Sequence, residues 1–270
     1  ESLVTGLAGH TFAYLLWEEA EHVLTLTLNR PEKKNAMNPV LMAELAYAMS
    51  YAHYNTDVWQ VVIAAKGDTF CAGADLKAFA GLPQEPTAST IPEPPFEVLV
   101  GELFNRVHRP CIAKVQGPVY AGGFLIVGGC HFVVASDEAT FALPEVKRGI
   151  YPMQVMANLL TILSPRQVLD LCLTGRTLSA QEAHTCGLVT HLTTIEALDA
   201  EVATLSRVLL ANSPTAMRLG LRAFDELRGR NLSDAHAFLK QKLNEALQSA
   251  DAHEGLAAFR EKRRPNWTGK

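Results

Sequence analysis

The chain has no apolar run long enough to cross a bilayer, and its first residues lack the charged-then-apolar pattern of a secretory leader. These absences exclude a helical membrane span and give no reason to expect export. There are no Cys-x-x-Cys pairs and no Cys/His groups at zinc-finger spacing. The five cysteines (Cys71, Cys111, Cys130, Cys172 and Cys186) are scattered, so free thiols in a reduced cytoplasmic compartment are expected. Excess charge is missing as well. Lys and Arg number 24 against 28 Asp and Glu, a net charge of −4, which excludes a general electrostatic footprint for nucleic acid. The nine histidines show no metal-ligand spacing, so neither a metal nor a redox cofactor is implied.

Apolar residues are plentiful, at 48% of 270 residues. That is enough for one large core with a small appendage. Val23-Leu24-Thr25-Leu26-Thr27-Leu28 alternates as a half-buried strand does, and Pro31 follows it. From Asn38-Pro39 the spacing turns helical, with Leu41, Leu45, Met49 and Ala52 on one face. Further strands are read at 61–64, 112–115 and 131–135. This alternation predicts an α/β core, either an open doubly wound sheet or a spiral of ββα turns. Past about residue 155 strand signals fade. Ser164-Pro165 and Ser213-Pro214 look like helix starts, and Ser179-Ala180-Gln181-Glu182 is a capping box. Residues 1–10 read as a disordered lead-in, 11–205 as the α/β core and 206–270 as a helical region.

Two segments rich in small residues each follow a strand-like run. They are Phe70-Cys71-Ala72-Gly73-Ala74-Asp75-Leu76 and Gly117-Pro118-Val119-Tyr120-Ala121-Gly122-Gly123. Small residues leave main-chain N–H groups open to a ligand. Two such turns together offer two donors to one oxygen, the geometry that stabilises an anion developing on a carbonyl. Either turn alone is an ordinary tight connection.

The pair, in this order, resembles the crotonase (enoyl-CoA hydratase/isomerase) superfamily. The resemblance runs from Val23 to Trp267 and includes Asn29-Arg30-Pro31-Glu32-Lys33-Lys34-Asn35-Ala36 and the closing run Phe259 to Trp267. It implies an α/β spiral of ββα units with a C-terminal helical trimerisation region, so a homotrimer or homohexamer. It also implies an acyl-CoA thioester as substrate, with coenzyme A part of the substrate and no separate cofactor. The resemblance assigns the oxyanion donors to the N–H groups of Ala74 and Gly122, and the acid/base to Glu145 in Phe141-Ala142-Leu143-Pro144-Glu145-Val146. Contacts to coenzyme A or the acyl group are expected from Lys33, Ala36, Ala72, Asp75, Leu76, Lys77 and Leu125, with Lys34 a further candidate for the phosphates. Phe259 and Lys262 are expected to come from a neighbouring subunit. His131 stands where relatives often carry aspartate and reads as structural.

Two departures narrow the chemistry. Ala121 replaces the first glycine of the second motif, and Leu125 replaces the first catalytic glutamate of hydratases. One base suffices to move a double bond, because it can remove a proton and return it elsewhere. Isomerisation is therefore expected first. A single-glutamate hydratase or hydratase-lyase, a decarboxylase of a β-carboxylated thioester and a non-catalytic acyl-CoA binder stay open. Residues 81–95, with five prolines, form a loop that is either a wall of the acyl pocket or a solvated connection. Met153 and Met156 read first as core filling, with reshaping of the acyl pocket as the alternative.

Overall fold

Six strands form the main sheet of the computed structural model, which describes residues 6–270. In chain order the strands of the molecule are β1 (Leu15–Ala20), β2 (Val23–Leu28), β3 (Gln60–Ala65), β4 (Cys111–Val115), β5 (Val119–Tyr120), β6 (Phe132–Ser136), β7 (Thr140–Ala142), β8 (Thr177–Ser179) and β9 (His191–Thr193). The main sheet runs β1-β2-β3-β4-β6-β9, and β5-β7-β8 form a second, smaller sheet. The β1–β2 hairpin is antiparallel, with Leu15 opposite Leu28, and the pairs from β2 to β9 are parallel. Its two-residue turn, Glu21-His22, has φ of 50° and 67°, as a tight hairpin requires.

Burial follows position. β2 alternates, with Leu24, Leu26 and Leu28 inaccessible and its other positions half-buried. β3 lies in the middle and is buried at all but its last residue. Parallel strands covered on both faces read as continuous apolar runs, and Val61 to Ala64 does so. The helix Pro39–Tyr54 is capped by the Asn38 side chain, which accepts from Leu41 N at 2.9 Å. Ser164, Ser179 and Ser213 cap the helices Pro165–Thr174, Ala180–Cys186 and Pro214–Leu227, as read, and Ser164 also closes a capping box with Gln167.

Several expectations are corrected. β1 went unread because it carries Glu18 and Glu19 at the sheet edge, where charges discourage further pairing. Two strands, β8 and β9, occur after residue 155, but at three residues each they leave no periodic signal. The disordered lead-in does not hold over residues 6–10. Leu7 is buried in the core, and His10 Nε2 is 2.9 Å from the Tyr47 hydroxyl. Residues 1–5 of that reading lie outside the described residues. The boundary at 205 falls inside the helix Leu198–Leu210, whose Leu198, Val202 and Leu209 pack with Val62, Ile112 and Val134 of the main sheet. His131 precedes β6 instead of opening it. Its Nδ1 accepts from Cys111 N at 2.9 Å, and burial lowers its pKa to about 4, so the ring is neutral and structural.

The helices Ala235–Ala246 and Ala250–Glu261 complete the C-terminal region. Among the described residues no helix is long and apolar enough to cross a membrane. Asp251 ties the last residues back onto this region. Its carboxylate accepts from Thr268 N (2.8 Å), Gly269 N (3.3 Å), Ser213 Oγ (3.1 Å) and Thr215 N (3.3 Å), and the residue is 1% exposed. Burial pushes this carboxyl up, but the bonds from Thr268, Thr215 and Ser213 outweigh it and hold the group below 3.8. Its contribution is therefore complete above the ordinary aspartate value and lost as pH falls through the lowered one. Asp251→Asn is expected to lower stability by about 2 kcal/mol at pH 7, with the gap to wild type closing under acid conditions. Urea unfolding at several pH values checks both.

Candidate active site

The two small-residue turns meet at the C-terminal ends of β3 and β4, held by main-chain bonds. Phe70 N donates to Pro118 O at 3.0 Å, and Tyr120 N donates to Cys71 O at 2.9 Å. On its other side the first turn is laced to residues 34–37. Ala72 N donates to Lys34 O (2.9 Å), Met37 N to Gly73 O (2.7 Å) and Asp75 N to Met37 O (2.9 Å). Three segments far apart in sequence thus form one rigid backbone layer.

Side-chain size sets how closely they approach. Gly73 has φ +97°, and a Cβ there would lie 2.8 Å from both Ala121 Cβ and Gly122 N. Only glycine fits both the backbone angle and the contact. A Cβ on Gly122 would touch Ala74 N at 3.4 Å, which shows how near the two candidate donors lie. Among the described residues neither Ala74 N–H nor Gly122 N–H donates to a backbone carbonyl. Both border a cavity of about 580 Å³. The substitution at Ala121 has a visible consequence, since its φ of +50° is a left-handed conformation that alanine adopts at a penalty of roughly 1–2 kcal/mol.

A buried ion pair fixes the first turn. Arg30 Nη1 lies 2.7 Å from Asp75 Oδ2 and donates to Ala36 O at 2.9 Å. The Asp75 side chain also caps the short helix Leu76–Phe79 by accepting from Lys77 N at 2.9 Å. Burial opposes its charge, but Arg30 and the helix amides prevail and keep the carboxyl below its ordinary value. Arg30 packs over Tyr14 at 5.1 Å from the ring centre, adding a cation–π contact.

Glu145 occupies the 3-10 turn Pro144–Arg148 and faces the same cavity. It is 9% exposed, and its Oε2 is buried without a hydrogen-bond partner. Burial pushes its carboxyl above 4.5, with Arg148 acting against that. A carboxylate with a free oxygen and a raised proton affinity is equipped to take a proton. Leu125, buried on the short helix Phe124–Val127, also borders the cavity and offers only a methyl surface.

These observations find counterparts in known proteins. The enoyl-CoA hydratase/isomerase family model matches residues 18–270. The chain belongs to the enoyl-CoA hydratase/isomerase family. It is 33% identical to the mevalonyl-coenzyme A hydratase sidH of Aspergillus fumigatus, across 91% of each chain. To the probable enoyl-CoA hydratase echA8 of Mycobacterium tuberculosis it is 32% identical, over 96% of this chain and 99% of that one. The crystal structure of enoyl-CoA hydratase from Mycobacterium tuberculosis H37Rv superposes with a TM-score of 0.84 at 31% identity, covering 96% of this chain and all of that one. The fold is thus the crotonase-type α/β spiral with its helical C-terminal region.

Within this family member the cavity gathers most of the residues read from the sequence. Lys33, Ala36, Ala72, Ala74, Asp75, Leu76, Lys77, Gly122, Leu125 and Glu145 all border it. Phe259 and Lys262 do not. Phe259 is 84% exposed near the end of the helix Ala250–Glu261, and Lys262 caps that helix with φ +53°. Lys34 contributes its carbonyl to the turn but does not border the cavity. Within the loop 81–95, Pro83, Gln84 and Glu85 supply wall. Met153 is 65% exposed and borders the cavity, so it is not core filling, whereas Met156 packs half-buried against the core. The sequence reading assigned no role to Tyr14, Arg30, Arg148 and Tyr151; Arg30 stands in the quoted Asn29–Ala36 segment, but nothing in the sequence announces its bond to Asp75.

Gly73→Ala is expected to force the two turns apart and reduce kcat for an acyl-thioester substrate by about 100-fold, with native circular dichroism retained. Steady-state kinetics checks the loss.

Proposed function

We propose that the protein processes acyl-CoA thioesters through an enolate, with one glutamate moving the proton. The single observation carrying this reading is the pairing of two free backbone N–H groups with one buried, unpartnered carboxylate in the same cavity. The thioester carbonyl oxygen accepts from Ala74 N–H and Gly122 N–H. Each donor of this kind is worth roughly 3–4 kcal/mol to the transition state.

The reaction proposed first is double-bond isomerisation. Glu145 removes a proton from C2 of a 3-enoyl thioester, and the electron pair moves into a dienolate whose charge rests on the thioester oxygen. The same carboxyl then returns the proton to C4, leaving the double bond between C2 and C3. No second acid is required, which suits a site where Leu125 stands opposite. Hydration with Glu145 alone is the second reading, favoured because sidH and echA8 carry hydratase names. Coenzyme A binding is assigned to Lys33 and Lys77 on the segments flanking the first turn. Phe259 and Lys262 are assigned to the nucleotide of a neighbouring copy in a trimer, consistent with an aromatic side chain left bare on a helix end.

Glu145→Gln is expected to lower turnover by about 100- to 10,000-fold while leaving thioester binding measurable by calorimetry. Because burial raises the folded-state value above 4.5, the ionised group opposes folding at neutral pH, so the same variant should melt at a higher temperature. Wild-type activity should fall as pH drops through that raised value. In deuterated water, 3-enoyl-CoA should yield 2-enoyl-CoA without added water, with deuterium at C4 only in the fraction of turnovers in which the proton on Glu145 exchanges with solvent before its return. A product heavier by one water would replace isomerisation with hydration, and activity surviving in Glu145→Gln would remove this residue as the base.

A further inference from the structure

Arg148 shares the 3-10 turn Pro144–Arg148 with Glu145 and borders the same cavity. In a 3-10 helix residues three apart eclipse one another, with a rise of about 2 Å per residue. The two Cα atoms are thus separated by only about 6 Å along the axis, so a cation follows the base by one turn. Arg148 is exposed and, like most arginines of the chain, holds no carboxylate among the described residues; what sets it apart is its place on the border of the cavity that also holds Glu145. The cavity lining mixes apolar side chains, Leu125, Ile150, Met153 and Val155 among them, with the neutral polar Tyr151 and Gln154. The cavity's other cations, Arg30, Lys33 and Lys77, lie on segments flanking the first turn, and Arg30 is consumed by Asp75. Glu85, also in the wall, forms no ion pair with Arg148.

We propose that the acyl group bound here ends in a carboxylate and that Arg148 receives it, making the substrate class monothioesters of short dicarboxylic acids. This inference rests on the thioester reading above. A guanidinium presents a planar fork that matches a carboxylate with two parallel N–H bonds, a geometry that lysine lacks. A neutral acyl chain leaves Arg148 solvated and gains nothing from it. The pairing also acts on the base, because the charge of Arg148 opposes the upward push of burial on Glu145. A substrate carboxylate that neutralises this charge strengthens Glu145 as a base once the matching acyl group is in place.

Saturated thioesters test the inference without turnover. Isothermal titration of wild type with glutaryl-CoA and with pentanoyl-CoA is expected to show a preference of about tenfold for the first. In Arg148→Gln the ratio should fall to near one, and Arg148→Lys should keep part of it. A wild type without preference, or a preference that survives in Arg148→Gln, would overturn the assignment. Pentanoyl-CoA binding without discrimination would sink only the carboxylate site. Failure of wild type to bind either thioester would sink the acyl-CoA reading with it.

Discussion

The contact between Gly73 and the Ala121-Gly122 backbone is the constraint on which the rest of the site depends. Two turns from different strands must approach until a single added carbon would lie 2.8 Å from the facing amide nitrogen. That proximity brings Ala74 and Gly122 together on the border of one cavity. Main-chain bonds from residues 34–37 and from 117–120 hold the layer from both sides. The Arg30–Asp75 ion pair then anchors the turn to the end of β2. Donors fixed by backbone need no reorganisation when charge develops, the property that makes such holes effective.

Against this rigid donor layer the site sets a carboxylate in a poorly solvated place. Glu145 leaves one oxygen unpartnered, an arrangement that opposes folding and favours proton transfer. Leu125 offers only methyl surface to the same cavity, so in the function proposed above proton traffic passes through one group. Arg148, one turn away, limits how far burial can raise that group. Stability and reactivity are thus opposed at Glu145, which follows the fully buried Phe141 and Leu143 along the chain.

Much of the fold was legible because its central strands obey simple patterns. Val23 to Leu28 alternates and Val61 to Ala64 is continuously apolar, as a strand near the edge and a strand in the middle should be. Helix starts at Asn38, Ser164, Ser179 and Ser213 were legible because capping is a local event. What escaped was short, charged or nonlocal. β1 carries glutamates, β8 and β9 are three residues long, and Leu7 is buried by contacts that no local pattern announces. In the site, Ala74, Gly122 and Glu145 stood in motifs, whereas the engagement of Arg30 by Asp75 and the place of Arg148 on the cavity border depend on neighbours distant in sequence.

By itself the sequence determined the family and the two turns, and it placed Glu145 and Leu125 at the positions on which the proposed chemistry rests. These are statements about which residue stands at which place in a shared pattern. Tertiary structure decided which main-chain donors stay free, which carboxylate oxygen is left unpaired and which arginine is already engaged by an aspartate. Those depend on distances between segments tens of residues apart. Local periodicity carries no information about such distances, and only packing fixes them.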